Sequence, residues 1–95
     1  MIVGVMELTM ALYDNDSLKD KRSVVKRTIG RLQSNFNIAA AEVEDQDCTD
    51  HAVLGIVAVG NDRRYVQGLL DKVEHFVIKM ALADVLDAHK IIENY

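Results

Sequence analysis

The sequence predicts a single α+β domain in which two helices cover one face of a four-stranded antiparallel sheet. Segments with the alternating apolar residues typical of strands occur at four places: 2–13, 37–47, 51–60 and 85–92. Two other segments, which begin near Ser17 and Asn61, space their apolar residues three or four apart, as amphipathic helices do. The predicted order is therefore βαββαβ over residues 1–95, a length that suits one hydrophobic core.

The first predicted strand and helix are joined by a polar turn. One face of the strand carries large apolar side chains that we assign to the core: Ile2, Met6, Leu8, Met10 and Leu12. The turn is predicted at Asp14-Asn15-Asp16, because such side chains bond to their own backbone. Ser17 is the expected N-cap, and Asp20 three residues later is a short-armed version of the capping box. We expect this helix to end near Asn35.

The second half of the chain continues the pattern. The second strand is rich in alanine, and a short polar link to the third strand predicts a hairpin. Asn61 and Asp62 offer a cap for the second helix, whose apolar stripe runs from Val66 to Met80. Right-handed crossovers place both helices on the same face of the sheet. This is the split βαβ arrangement of ferredoxin-like folds.

The sheet face that the helices do not cover predicts self-association. Val3, Val5 and one side of the third strand, including Val57, lie on this open face and form a patch too apolar to remain wet. We therefore expect a homo-oligomer, with a dimer as the simplest form.

Composition narrows the class of protein. The formal net charge of −4 argues against a general nucleic-acid binder. Cys48 is the single cysteine, so the chain forms no intrachain disulfide, and we expect a reducing compartment, the cytoplasm. The apolar N-terminal stretch reaches Glu7 too soon for a membrane span, so no membrane association is expected.

No residue pattern in the sequence predicts catalysis, a cofactor, a metal or a small-molecule ligand. The acidic turn at 45–50 lacks the glycine and the distal glutamate of a calcium loop, and Cys48 with His51 is a lone C-x-x-H pair. We interpret these residues as a solvated hairpin turn with a half-buried thiol. Three glutamates, expected to share the open sheet face, are interpreted as surface residues: Glu7, Glu42 and Glu44. His75 and His89 are expected at the surface or its boundary. The protein is therefore not expected to be an enzyme.

The first helix carries most of the positive charge. Residues 17–31 contain six basic residues and only one acid. A helical wheel places Lys19, Arg22 and Lys26 on one flank of the apolar stripe, at spacings that suit phosphate contacts. Lys21 lies nearer the buried side. The alternative interpretation is that these long side chains cover the edges of the stripe with their methylene groups. We name six residues as candidate nucleic-acid contacts: Lys19, Lys21, Arg22, Lys26, Arg63 and Arg64.

Five short motifs are spread along the chain: the segment from Ser17 to Val24, Ala41-Glu42-Val43, Gln46-Asp47, Leu54-Gly55 and the segment from Asn61 to Arg64. Together they closely resemble the YlxP-like family of small bacterial proteins of unknown function. The resemblance covers nearly the whole chain and implies a ferredoxin-like fold. Genes of this family tend to lie near those for ribosome maturation and translation initiation, which implies contact with RNA or the ribosome. The resemblance assigns no catalytic residue.

Overall fold

The predicted order of elements is confirmed by the computed structural model, which describes residues 1–13 and 17–95. The elements are β1 (Ile2–Ala11), α1 (Leu18–Asn35), β2 (Ala39–Glu44), β3 (His51–Gly60), α2 (Arg63–Met80) and β4 (Asp84–Asn94). The turn predicted at Asp14-Asn15-Asp16 lies outside the described residues. None of the described helices is long and apolar enough to cross a membrane.

The four strands form one antiparallel sheet in the order β2-β3-β1-β4. Two helices and this strand order give the ferredoxin-like α+β fold that the sequence predicts. The two central strands, β1 and β3, pair without interruption along their full length. The two edge strands each contain a register shift, between Glu42 and Glu44 in β2 and opposite Thr9 and Met10 of β1 in β4.

The core lies between the helices and one face of the sheet. Met6, Leu8 and Met10 of β1 are fully buried there, as their alternation predicts. Gly4, the next inward position of β1, allows a close approach by α2, because a Cβ atom there would lie 2.5 Å from Cγ1 of Val66. The sheet and the second helix are therefore in direct contact at this point.

Both helix starts follow the predicted caps. The Ser17 hydroxyl accepts a hydrogen bond from the backbone N–H of Asp20 at 3.1 Å, and Asp62 accepts one from the N–H of Arg64 at 3.2 Å. These bonds satisfy donors that the first helical turn leaves free. The first helix ends at Asn35, as predicted.

The strand ends differ from the predictions by a few residues. β2 stops at Glu44 because Asp45 adopts a positive φ of 59°, which no strand accommodates. β4 is longer than the predicted 85–92 and includes the polar residues Asp84, Asp87 and Lys90. The strand accommodates its polar residues on both faces: Asp87 lies on the open face of this edge strand, whereas Lys90 faces α2 and is paired there with two acids.

An ion-pair cluster joins β4 to α2. Lys90 donates hydrogen bonds to Asp71 at 2.7 Å and to Glu74 at 2.6 Å. Burial lowers the pKa of Lys90, but these two bonds outweigh burial and leave its pKa raised. The same contact lowers the pKa of Asp71. The single charge of Lys90 thereby offsets one of these two acidic charges of α2 on the side that faces β4.

Candidate anion-binding surface on the helix layer

The fold separates the charges of the chain. The two helices together contain ten basic and three acidic residues, whereas the rest of the sequence contains one basic and twelve acidic residues. Because both helices lie on the same face of the sheet, one layer of the molecule is positive although the whole chain has a net charge of −4. We call this layer, α1 and α2, the helix layer.

Three of the predicted phosphate contacts lie together on the helix layer. Lys19, Arg22 and Lys26 are all exposed on α1. Arg22 and Lys26, one turn apart, line a groove of about 460 Å³. Its wall also includes the apolar Val25 and Ile29 and the acid Glu42, whose carboxylate is paired with Lys21. Within residues 1–13 and 17–95, none of the three cations lies within 4 Å of a carboxylate. Their charges are therefore available to an anion.

Lys21, one of the six candidate nucleic-acid contacts predicted from the sequence, is not available to a partner. Its side chain is fully buried, and its ammonium lies 2.9 Å from Oε2 of Glu42. The ammonium also donates a hydrogen bond to the backbone carbonyl of Asp45. The Lys21 ammonium and Oε2 of Glu42 form an ion pair, but their geometry is not that of a hydrogen bond. Lys21 thus holds α1 against the end of β2 and is not exposed to a partner.

The same contact corrects the expectation for Glu42. The sequence interpretation placed Glu7, Glu42 and Glu44 together on the open face, but Glu42 pairs with the buried Leu54 and faces the helices. The register shift after Glu42 turns Glu44 to the opposite face, where it lines a groove with Glu7. The three glutamates therefore do not form one group.

Arg63 and Arg64 lie at the other end of the helix layer. The guanidinium of Arg63 donates a hydrogen bond to the carbonyl of Ile92 at 3.1 Å. Arg64 lines a groove beside Asn35, the last residue of α1. Asn35 is sixteen residues from Lys19, or about 24 Å along a helix. The structure therefore places the predicted cations in two groups, not one.

Two residues of this second group were missed by sequence reasoning. Lys72 and Tyr65 line the same groove as Arg64, and Tyr65 is 56% exposed. Lys72 was overlooked because it stands alone in the sequence, although it follows Arg64 by two helical turns. The exposure of Tyr65 depends on how the helix meets the sheet, which no local pattern indicates.

The hairpin turn at 45–50 and the three histidines were the other candidate groups in the sequence. A contact of 3.1 Å between Nδ1 of His51 and Oδ1 of Asp50 lowers the pKa of Asp50. Cys48 is half-buried, as expected, and His75 and His89 are exposed. Outside the three residues 14–16, no three His, Cys, Asp or Glu side chains are grouped as metal ligands.

The open sheet face carries a continuous apolar row across all four strands. In the strand register, Ala39 is opposite Val57, Val57 is opposite Val5, and Val5 is opposite Ile91. Val5, Val57 and Ile91 are 37%, 38% and 45% exposed. Val3 lies one row away, opposite the exposed Val59. The row borders a shallow groove of about 390 Å³.

Comparisons with known proteins agree on the family and the fold. Residues 3–90 match the family DUF503, described as a protein of unknown function. The chain is 36% identical over 76 residues to the uncharacterized protein YlxP of Bacillus subtilis (strain 168). The aligned region covers 80% of this chain and 83% of that protein. Among solved structures, it resembles SnoaB, a cofactor-independent oxygenase from Streptomyces nogalater. The TM-score is 0.50 and the identity 14%, over 99% of this chain and 92% of that one. A likeness at this identity concerns the fold alone.

Proposed function

We propose, on the premise that this chain belongs to the DUF503 family of unknown function, that it is a non-enzymatic factor that binds RNA or the ribosome. The observation that carries the proposal is the charge separation between the helix layer and the rest of the chain. A positive layer on an acidic body orients the protein, because the acidic side is repelled by the same phosphates that attract the helices. The proposed setting is the cytoplasm.

The phosphate contacts are assigned to Lys19, Arg22 and Lys26. Arg22 can bind a phosphate with two parallel N–H groups, whereas the two lysines act as point charges. Such contacts read the backbone and not the base sequence. Each contact releases a counterion, so affinity should fall as salt rises, with a slope of about −0.7 to −0.9 per phosphate contacted.

The test is charge reversal at these three positions. We expect Lys19→Glu/Arg22→Glu/Lys26→Glu to lower affinity for a 20-base-pair RNA at least about tenfold and to flatten its salt dependence by about one unit of slope per lost contact. The matched control is Lys19→Arg/Arg22→Lys/Lys26→Arg, which keeps every charge. Fluorescence anisotropy between 50 and 200 mM salt measures both effects. Co-sedimentation with ribosomes that is unchanged by the charge reversal would refute the proposal.

A second candidate function, self-association through the open sheet face, is favoured by the four-strand apolar row. The strands lie about 4.8 Å apart, and β1, β3 and β4 are about 33 to 37 Å long whereas β2 is about 20 Å long. The face therefore presents roughly 600 Å² per copy, so a face-to-face dimer buries about 1,200 Å² in total. That area lies at the lower end of specific interfaces. This candidate makes the protein a homodimeric interaction module, with the cations of α1 serving only as soluble surface.

Light scattering at high micromolar concentration tests the second candidate. A dimer is expected for the wild type, and Val5→Lys/Val57→Lys should convert it to a monomer, because two facing charges would enter the apolar row. The control is Ile78→Lys, a substitution of an apolar residue that is 49% exposed on α2, away from the open face. A wild-type protein that is monomeric at this concentration would contradict the candidate.

A further inference from the structure

The groove between the end of α1 and the first turns of α2 combines two cations with an exposed aromatic ring. We propose that it binds one unpaired nucleotide of an RNA partner, with Tyr65 stacking on the base and Arg64 and Lys72 contacting the adjoining phosphates. The inference rests on the proposed RNA binding and adds a site and a class of ligand, single-stranded RNA.

The shape of the groove suits a ligand of this size. Its volume is about 430 Å³, within the range of small-molecule sites. Arg64, Gly68 and Lys72 follow one another at four-residue intervals, so they lie along one stripe of α2. Gly68 keeps the centre of the stripe open, since a Cβ atom added there meets no other atom within 4 Å. The two cations therefore flank a gap rather than a side chain.

Tyr65 is held in place at the edge of this groove. A Cβ atom at Gly60 would lie 3.1 Å from Cδ2 of the Tyr65 ring, so the ring packs against the backbone at the end of β3. More than half of Tyr65 nevertheless remains exposed. A ring that is already oriented loses little conformational entropy when a base stacks on it. Stacking requires a base that is free of its own neighbours, which favours single-stranded over duplex RNA.

A purely structural role explains only part of this arrangement. The last turn of α1 contains no basic residue, and Arg64 and Lys72 lie where cations favour the free carbonyls of a helix end. That role accounts for the two cations. It does not account for the exposed ring at the edge of the groove, so Tyr65 is the residue that distinguishes the two explanations.

The experiment compares two RNA probes, a ten-nucleotide oligoadenylate and a 20-base-pair duplex, with the full chain. Stacking on one base is worth about 1–3 kcal/mol, so Tyr65→Ala should weaken oligoadenylate binding about 5- to 150-fold and leave duplex binding unchanged. Tyr65→Phe, which keeps the ring, should bind like the wild type. Gly68→Leu, which fills the gap, should give a loss similar to that of Tyr65→Ala.

A direct signal is also available because the chain contains no tryptophan. Tyr65→Trp introduces a single indole whose fluorescence should be quenched by oligoadenylate and much less by the duplex. Equal affinity of wild type and Tyr65→Ala for oligoadenylate would overturn the inference while the proposed function stands. An equal loss for both probes would also overturn it, because the ring would then act through the fold. A wild-type protein that binds neither probe would instead refute the proposed function.

Discussion

Replacing Lys21 by alanine tests whether the buried lysine is structural. The substitution removes a cation with no exposed surface and leaves the carboxylate of Glu42 without its partner. The backbone carbonyl of Asp45 loses one of its two donors and keeps the N–H of Cys48. The Glu42 side chain is only 16% exposed, so water does not fully replace the lost ammonium. The substitution therefore leaves one charge, the Glu42 carboxylate, unpaired in a mostly dry site.

The expected cost follows from this burial. Removing one partner of a buried ion pair destabilises a protein by about 3–5 kcal/mol, because the remaining charge is uncompensated. Domains of this size have free energies of unfolding of about 5–15 kcal/mol. Lys21→Ala should therefore remove a large fraction of the total stability. The double variant Lys21→Met/Glu42→Leu, which replaces the pair by apolar groups, should be much closer to the wild type than the sum of its single changes.

Urea unfolding followed by circular dichroism measures Lys21→Ala and the four members of the double-mutant cycle. These four are the wild type, Lys21→Met, Glu42→Leu and the double variant. The matched control is Lys26→Ala, an exposed lysine on the same helix, which should change the free energy of unfolding by no more than about 0.5 kcal/mol. An unfolding free energy for Lys21→Ala within about 1 kcal/mol of the wild type would refute the reasoning. So would strict additivity in the cycle, since it would mean that Lys21 and Glu42 do not interact.

Two glycines and one ion pair give further predictions. Gly4→Ala should lower the free energy of unfolding by about 1–3 kcal/mol, because its methyl group would overlap Val66. Gly68→Ala, in open space on α2, should raise it by up to about 1 kcal/mol through helix propensity, and thermal melts should show these opposite shifts. Asp71→Asn should remove about 0.2–1 kcal/mol at pH 7, because Asp71 is 45% exposed and its bond to Lys90 is partly screened. The hydrogen bond from Lys90 lowers the pKa of Asp71, so this stabilisation is present above its unfolded pKa of about 3.9 and is lost as pH falls through the lower folded value. The difference between Asp71→Asn and the wild type should therefore disappear in strong acid, and urea titrations at pH 7 and pH 2 would show whether it does.

Local chemistry was sufficient to predict the elements and their order. Ser17 and Asp62 cap the two helices because their side chains accept bonds that the first turn requires, and this depends only on neighbouring residues. The alternation in β1 and the continuous apolar run of β3 depend on burial alone, so both strands were located, β3 with the predicted bounds and β1 two residues shorter than predicted. Short and repetitive signals of this kind do not require knowledge of the rest of the fold.

The features of the candidate site that the sequence did not predict depend on contacts between distant parts of the chain. The helical phase of Lys21 indicated a buried side, but its partner became evident only when Glu42 was found on the inner face of β2. The register shift that separates Glu42 from Glu44 is a property of the paired strands and has no sequence signal. The position of the Tyr65 ring beside Gly60 likewise depends on how α2 meets the end of β3. Each of these features requires tertiary structure.

The burial of Lys21 changes what the basic motif at the start of α1 implies. A lysine that pairs with Glu42 is explained by folding, so its presence in this motif is no argument for RNA binding. Lys19 and Arg22 are different, because both are exposed. Lys19 also lies in the first turn of α1, where a cation opposes the helix dipole at a cost of a few tenths of a kcal/mol. Within the part of the chain that the structure describes, no carboxylate within 4 Å offsets that cost. The charge of Lys19 is thus slightly unfavourable for the isolated chain, which supports the proposed contact with a partner that carries negative charge.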